Sequence, residues 1–165
     1  MRSPRSSRSL AAWTVAALVL LVALTVGPGA ARAAEDGLVR LKSPYSVDET
    51  IARLKTAVEA KGVTVFADIP HTANAAALDL EMPPSHLLIF GSPRIGAPLM
   101  TAAPPIGIDL PIKALAWQDA DGQVWLGYND PAYLADRHGL DPSLPPFQGM
   151  AKALIGFTAH AVATE

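Results

Sequence analysis

The chain has 165 residues, with 13 basic and 15 acidic side chains, four histidines and no cysteine. The missing thiol excludes disulfide stapling, cysteine catalysis, iron–sulfur ligation and covalently attached c-type haem. Half of the residues are apolar, enough for a single domain with a core of its own.

The N-terminus is organised for export. Arg2, Arg5 and Arg8 form a positive start, and no acidic residue precedes Glu35. Residues 10–26 are uncharged and rich in Ala, Leu and Val, Gly27, Pro28 and Gly29 break the run, and Ala31-Arg32-Ala33 puts small residues at the −3 and −1 positions. This is the layout of a secretory signal peptide cleaved after Ala33, which directs the remainder to the periplasm or the medium. The run sits at the short edge of the roughly 17–25 residues that span a bilayer, so the membrane enters only if the segment stays uncleaved. Without a cysteine a lipid-modified N-terminal Cys is excluded, and without an adjacent arginine pair a twin-arginine signal is not expected. Removal of the segment leaves nine basic against fifteen acidic residues, a net charge of −6. That balance argues against nucleic acid and against anionic membranes as partners.

The mature chain opens at residues 37–43 with the alternation of an edge strand. Ser46, three residues before Glu49, predicts a capping box, and Val47, Ile51, Leu54 and Val58 then recur at helical spacing until Gly62 closes the helix. Residues 63–69 read as a β-branched strand ended by Pro70, and the alanine-rich residues 71–80 as a short helix. The apolar run at residues 86–90 predicts a central strand covered on both faces. Gly91-Ser92-Pro93 turns the chain into a short helix over residues 95–103. Strands at residues 112–118 and 124–128 flank an Asp-Gly loop and read as a hairpin. Asp130-Pro131 opens another helix that ends near Gly139. Met150, Leu154, Phe157 and Ala161 mark the apolar stripe of a last helix over residues 147–162. The expected class is α+β, one compact domain with a mixed sheet of about five strands and helices packed against it.

Several segments together resemble a known family. Phe90-Gly91-Ser92-Pro93-Arg94 is similar to the Phe-Gly-Asn-Pro-Lys box of the domain of unknown function 302 family. Pro98-Leu99-Met100, Leu110-Pro111 with Lys113, and Tyr128-Asn129-Asp130-Pro131 follow in that family's order, and Ile69-Pro70-His71 resembles its Ile-Asp-His segment. The resemblance covers residues 39–157. It implies a small α+β fold, often dimeric, with no agreed activity. Ser92 and Ala97 depart from the family's usual Asn and Thr, so a ligand touching those positions would be held differently here.

Five residues are candidates for a site: His71, Gly91, Arg94, Asp109 and Asn129. The Gly91-to-Gly96 turn reads either as a tight strand-to-helix connection or as an anion pocket, with backbone N–H groups beside Arg94. His71 directly follows a strand and is a weak candidate for a general base, although a lone histidine is as readily a solvated helix start. His86 reads as structural and His138 as a helix C-terminal cap. Ser92 is outside any Gly-x-Ser-x-Gly elbow, and Asp130 reads as a helix N-cap. No ligand spacing for a metal is present, and Asp119, Asp121 and Gly122 are explained by the hairpin turn. Trp117, Trp125, Tyr128 and Tyr133 offer core packing or an aromatic wall. Three functions remain open. The first is a small-ligand protein, its ligand possibly anionic. The second is an enzyme with His71 as base and Arg94 stabilising negative charge. The third is a dimer-forming structural subunit; the sequence leaves any cofactor unknown.

Overall fold

A computed structural model describes residues 36–164. The expected signal peptide lies outside them. The strands are β1 (Leu38–Ser43), β2 (Thr64–Ile69), β3 (Ser85–Gly91), β4 (Ile112–Gln118) and β5 (Val124–Asn129). The helices are α1 (Val47–Glu59), α2 (His71–Ala76), α3 (Pro93–Ala102), α4 (Pro131–Arg137) and α5 (Pro145–Val162), with a 3-10 turn at Pro104–Ile108. The α+β class and the five strands agree with the sequence reading.

The sheet order is β1-β5-β4-β3-β2, and every neighbouring pair is antiparallel. The expected mixed sheet is therefore corrected to an antiparallel one. Alternating strands and helices suggest parallel crossovers, but only α1 crosses the sheet, carrying the chain from one edge strand to the other. The short α2 and the α3 segment each return the chain to the strand alongside. β3 is accordingly second from the edge rather than central. Its Leu88 and Phe90 are buried, whereas Leu87 and Ile89 are half-buried on the opposite face.

α1 forms where its cap and stripe predict. Ser46 accepts a hydrogen bond from the Glu49 N–H at 3.2 Å, and Val47, Ile51, Leu54 and Val58 are all buried. Beneath its first turn the buried Ser43 and Thr50 hydroxyls lie 2.7 Å apart. Thr50 donates to the Ser46 carbonyl at 2.8 Å and Ser43 accepts from the Tyr45 N–H at 3.2 Å, so neither hydroxyl loses its partners on burial. α5 presents Phe147, Met150, Leu154, Phe157 and Ala161 to the same core. Arg53 ties the two helices together, its Nε donating to the Ala161 carbonyl at 3.1 Å and its NH2 to the Ala163 carbonyl at 2.9 Å.

The β4–β5 hairpin is set by Asp119. Its Oδ1 accepts from the N–H groups of Asp121 (3.0 Å) and Gln123 (2.9 Å), and its Oδ2 accepts from Trp125 Nε1 (2.7 Å). The Trp125 contact, helped by the two backbone donors, holds the Asp119 carboxyl below its usual range. Trp117 and Trp125 are direct cross-strand partners. The Trp117 ring lies over Gly127, where an added Cβ would stand 2.8 Å from Cζ3 and 3.1 Å from the Val39 carbonyl oxygen. Gly127→Val should therefore lower stability by about 1–3 kcal/mol through overpacking between two strands. Urea unfolding checks this, and an unchanged midpoint would contradict the packing.

Candidate functional site

At the end of β3 the chain leaves the sheet through Gly91 and Ser92, and Pro93 at the first helical position starts α3. A Cβ on Gly91 would meet Pro111 Cβ at 3.2 Å, so glycine permits the close approach of the segment leading into β4. Between this corner and α5 lies a cavity of about 260 Å³. Its floor is Phe90, Ile112, Leu154 and Phe157, with the Phe90 and Phe157 rings edge-to-face at 6.1 Å and 76°. Ile95, Gly96, Ala97 and Met100 of α3 form one wall, Leu110 and Pro111 another, and Met150 and Ala153 of α5 complete it. Phe66 and Met100 stand at the rim, 53% and 39% exposed. Ser92 carries the only polar side chain in the lining.

Of the two readings open for the Gly91-to-Gly96 turn, this lining suits the tight strand-to-helix connection better than the anion pocket. Gly91 does line a cavity, but no charged side chain does, so an anion would enter without a counter-charge. Arg94 is exposed on the first turn of α3 and is not part of the lining. The Ser92 side chain makes no capping bond to α3.

The remaining candidates separate. Asp109 is only 10% exposed at its side chain, and its carboxylate is already taken up. His138 Nε2 lies 2.6 Å from Oδ2, and Arg137 NH1 donates to Oδ1 at 3.3 Å. His138 is the C-cap of α4, as its place before Gly139 suggests, but its ring has this second task. The pair fixes the loop before β4, whose next residues, Leu110 and Pro111, are cavity wall. Asn129 ends β5, exposed, opposite Leu38 of β1, and Asp130 caps α4 by accepting from the Ala132 N–H at 2.8 Å. His71 starts α2 beyond the far end of β2, level with the Ser85 end of β3. Six strand residues separate that end from Gly91, roughly 20 Å at strand rise. His71 and Arg94 therefore do not converge on one small ligand.

A polar cluster that the sequence did not reveal occupies that far end. His86 Nδ1 lies 2.8 Å from Asp48 Oδ1, and its Nε2 lies 2.6 Å from Asp68 Oδ1. A neutral imidazole carries one N–H, so only the protonated ring donates to both carboxylates. Lys55 Nζ donates to Asp68 Oδ2 at 2.8 Å. The chain Asp48–His86–Asp68–Lys55 pins the start of α1 to β3 and β2. Spacing gives no hint of it, because its members come from three separate elements. Among the described residues no group of three or more His, Cys, Asp or Glu is placed to hold a metal ion.

The model of the domain of unknown function DUF302 matches residues 39–157. The chain belongs to the DUF302 family. A DUF302 protein of Bacillus stearothermophilus has a similar crystal structure, with a TM-score of 0.65 and 21% identity over 76% of this chain and 98% of that one, a likeness of fold. Two similar curated proteins are the fluoride-specific ion channels FluC 1 of Brucella suis biovar 1 (strain 1330) and of Brucella abortus biovar 1 (strain 9-941). Each is 47% identical over 113 residues, 68% of this chain but 44% and 42% of the respective relative. The chain thus spans less than half the length of those channels. No helix of its described residues is long and apolar enough to cross a membrane.

The far-end cluster gives the DUF302 domain an acid-sensitive fastening. Lys55 above all, and His86 beside it, hold the Asp68 carboxyl below its ordinary 3.8, with burial opposing them. Its contribution is present above that unfolded value and is lost as pH falls through the lower folded value. Denaturation of wild type and Asp68→Asn between pH 2 and 7 should show a stability gap that closes only at the acid end. A gap independent of pH would rule this linkage out.

Proposed function

We propose that the DUF302 domain of this chain binds a small apolar molecule in the cavity between α3 and α5. The observation that carries this reading is a preformed cavity of about 260 Å³ whose lining is apolar apart from Ser92. An apolar cavity of roughly 150 Å³ stays dry and accepts benzene, so the larger one here suits a bicyclic aromatic or a branched hydrocarbon. Two exposed rim residues, Phe66 and Met100, gain cover when such a ligand is seated. The arrangement favours binding over acid–base chemistry, since His71 stands at the opposite end of the sheet. The channel activity named for the Brucella relatives is not proposed for this chain; the shared domain serves as a ligand-binding accessory.

Phenylnaphthylamine, an uncharged fluorescent probe, tests the cavity. The wild-type protein should raise its emission saturably. Ala97→Trp, which places an indole at the exposed rim, should weaken binding roughly ten-fold, about 1.4 kcal/mol, with the urea midpoint kept. Full affinity in that variant would place the probe elsewhere.

The N-terminal layout supports action outside the cytoplasm. N-terminal sequencing of the protein from a periplasmic extract should begin at Ala34. A chain still beginning at Met1 in that extract would refute cleavage.

A further inference from the structure

The cavity uses only one face of the sheet; the other face is chemically distinct. Strand alternation and register place Arg40, Lys42 and Lys113 on it, around a centre of Leu87, Ile89 and Leu115. None of its strand residues is acidic, although acidic residues outnumber basic ones in the chain, 15 to 13. At the margin Asp36 pairs with Arg40 at 2.6 Å and Asp119 accepts from Trp125, and the Lys113 ammonium donates to the carbonyls of Ile108, Asp109 and Pro111, neutral acceptors that leave its charge in place. α1 and α5 pack together against the opposite face. The helix-facing strand residues there include Asp68 and His86, so the charge bias is a property of the open face alone.

Size narrows what can sit on it. Five strands at about 4.8 Å spacing and some six residues of length give a face of roughly 20 by 20 Å, about 400 Å². A second copy laid face to face would bring this basic patch against the same cations of its partner, and like charges so juxtaposed oppose docking. A single helix, about 10 Å across, fits on it with its flanks over the cations. A polyanion such as nucleic acid meets the acidic remainder of the domain.

We propose that the open sheet face docks one acidic amphipathic helix of a partner protein, its apolar stripe on Leu87, Ile89 and Leu115 and its carboxylates toward Arg40, Lys42 and Lys113. The two tryptophans of the described residues, Trp117 and Trp125, both lie on this face and report occupancy. Lys42, whose ammonium stands 5.5 Å from the Trp125 ring centroid, links the charge to the reporter.

In the full chain carrying Trp13→Phe, titration with a helical peptide of leucine stripe and glutamate flanks should shift tryptophan emission saturably. A matched leucine/lysine peptide should leave it unchanged. Lys42→Glu, an exposed change on an edge strand, should weaken binding roughly ten-fold, and Leu115→Glu should remove it with the urea midpoint retained. Lys42→Glu carries the test alone if Leu115→Glu does not fold. Equal responses to both peptides, no response to the acidic one, or a concentration-dependent dimer dissolved by Lys42→Glu would overturn the proposal.

Discussion

All the long packing in this protein happens on one side of one sheet. Every strand must therefore divide its residues between a dry face under α1 and α5 and an open face. Val39, Leu126, Tyr128, Ala114, Ala116, Leu88 and Phe90 occupy the dry side, and most of their chain neighbours are only half-buried. The two small residues of β4, Ala114 and Ala116, leave room for helix side chains at the middle of the sheet. Toward the β3 end the helical cover thins to α3 and the loop before β4, and the cavity lies there. The one-sided core thus determines where an internal ligand could go and which surface is left for a partner.

Charged side chains act mainly as fasteners around this core. Asp119 organises the hairpin, Asp130 caps α4, Asp109 with His138 and Arg137 secures the loop that walls the cavity, and the Asp48–His86–Asp68–Lys55 chain secures α1 at the other end. Of the candidate site residues, Asp109 is absorbed in this way. What remains for recognition is shape and apolar surface at the cavity, and a charge bias on the open face.

The fold was legible wherever a local pattern decides structure. The Ser46 cap with its four-residue stripe, the Asp-Gly hairpin and the α5 stripe each depend on near neighbours, and each element falls within a few residues of its expected bounds. Sheet direction was not legible, because alternating strands and helices fit crossovers and returns equally well, and only the pairing itself, β2 with β3, β3 with β4 and β1 with β5, distinguishes them. The site was legible only in part. Gly91 and the turn after it do border a cavity, but the opposing wall comes from Met150, Ala153, Leu154 and Phe157, whose spacing reads simply as core. The small Gly96, Ala97 and Ala153 facing bulky neighbours were the available hint of a void. His71 and Arg94 looked like partners because both follow strands, yet β2 and β3 run antiparallel and deliver them to opposite ends.

The register break between Val65 and Ala67 has a consequence for how the molecule behaves among its neighbours. A sheet edge offers a row of unpaired N–H and C=O groups that another chain can extend, and β2 is such an edge. The extra residue at Phe66 kinks that row, so an approaching strand loses alignment after a few residues. At the opposite edge β1 is six residues long and carries Arg40 and Lys42, a short and charged margin. Each margin of the sheet is thereby a poor template for adding a strand from another chain.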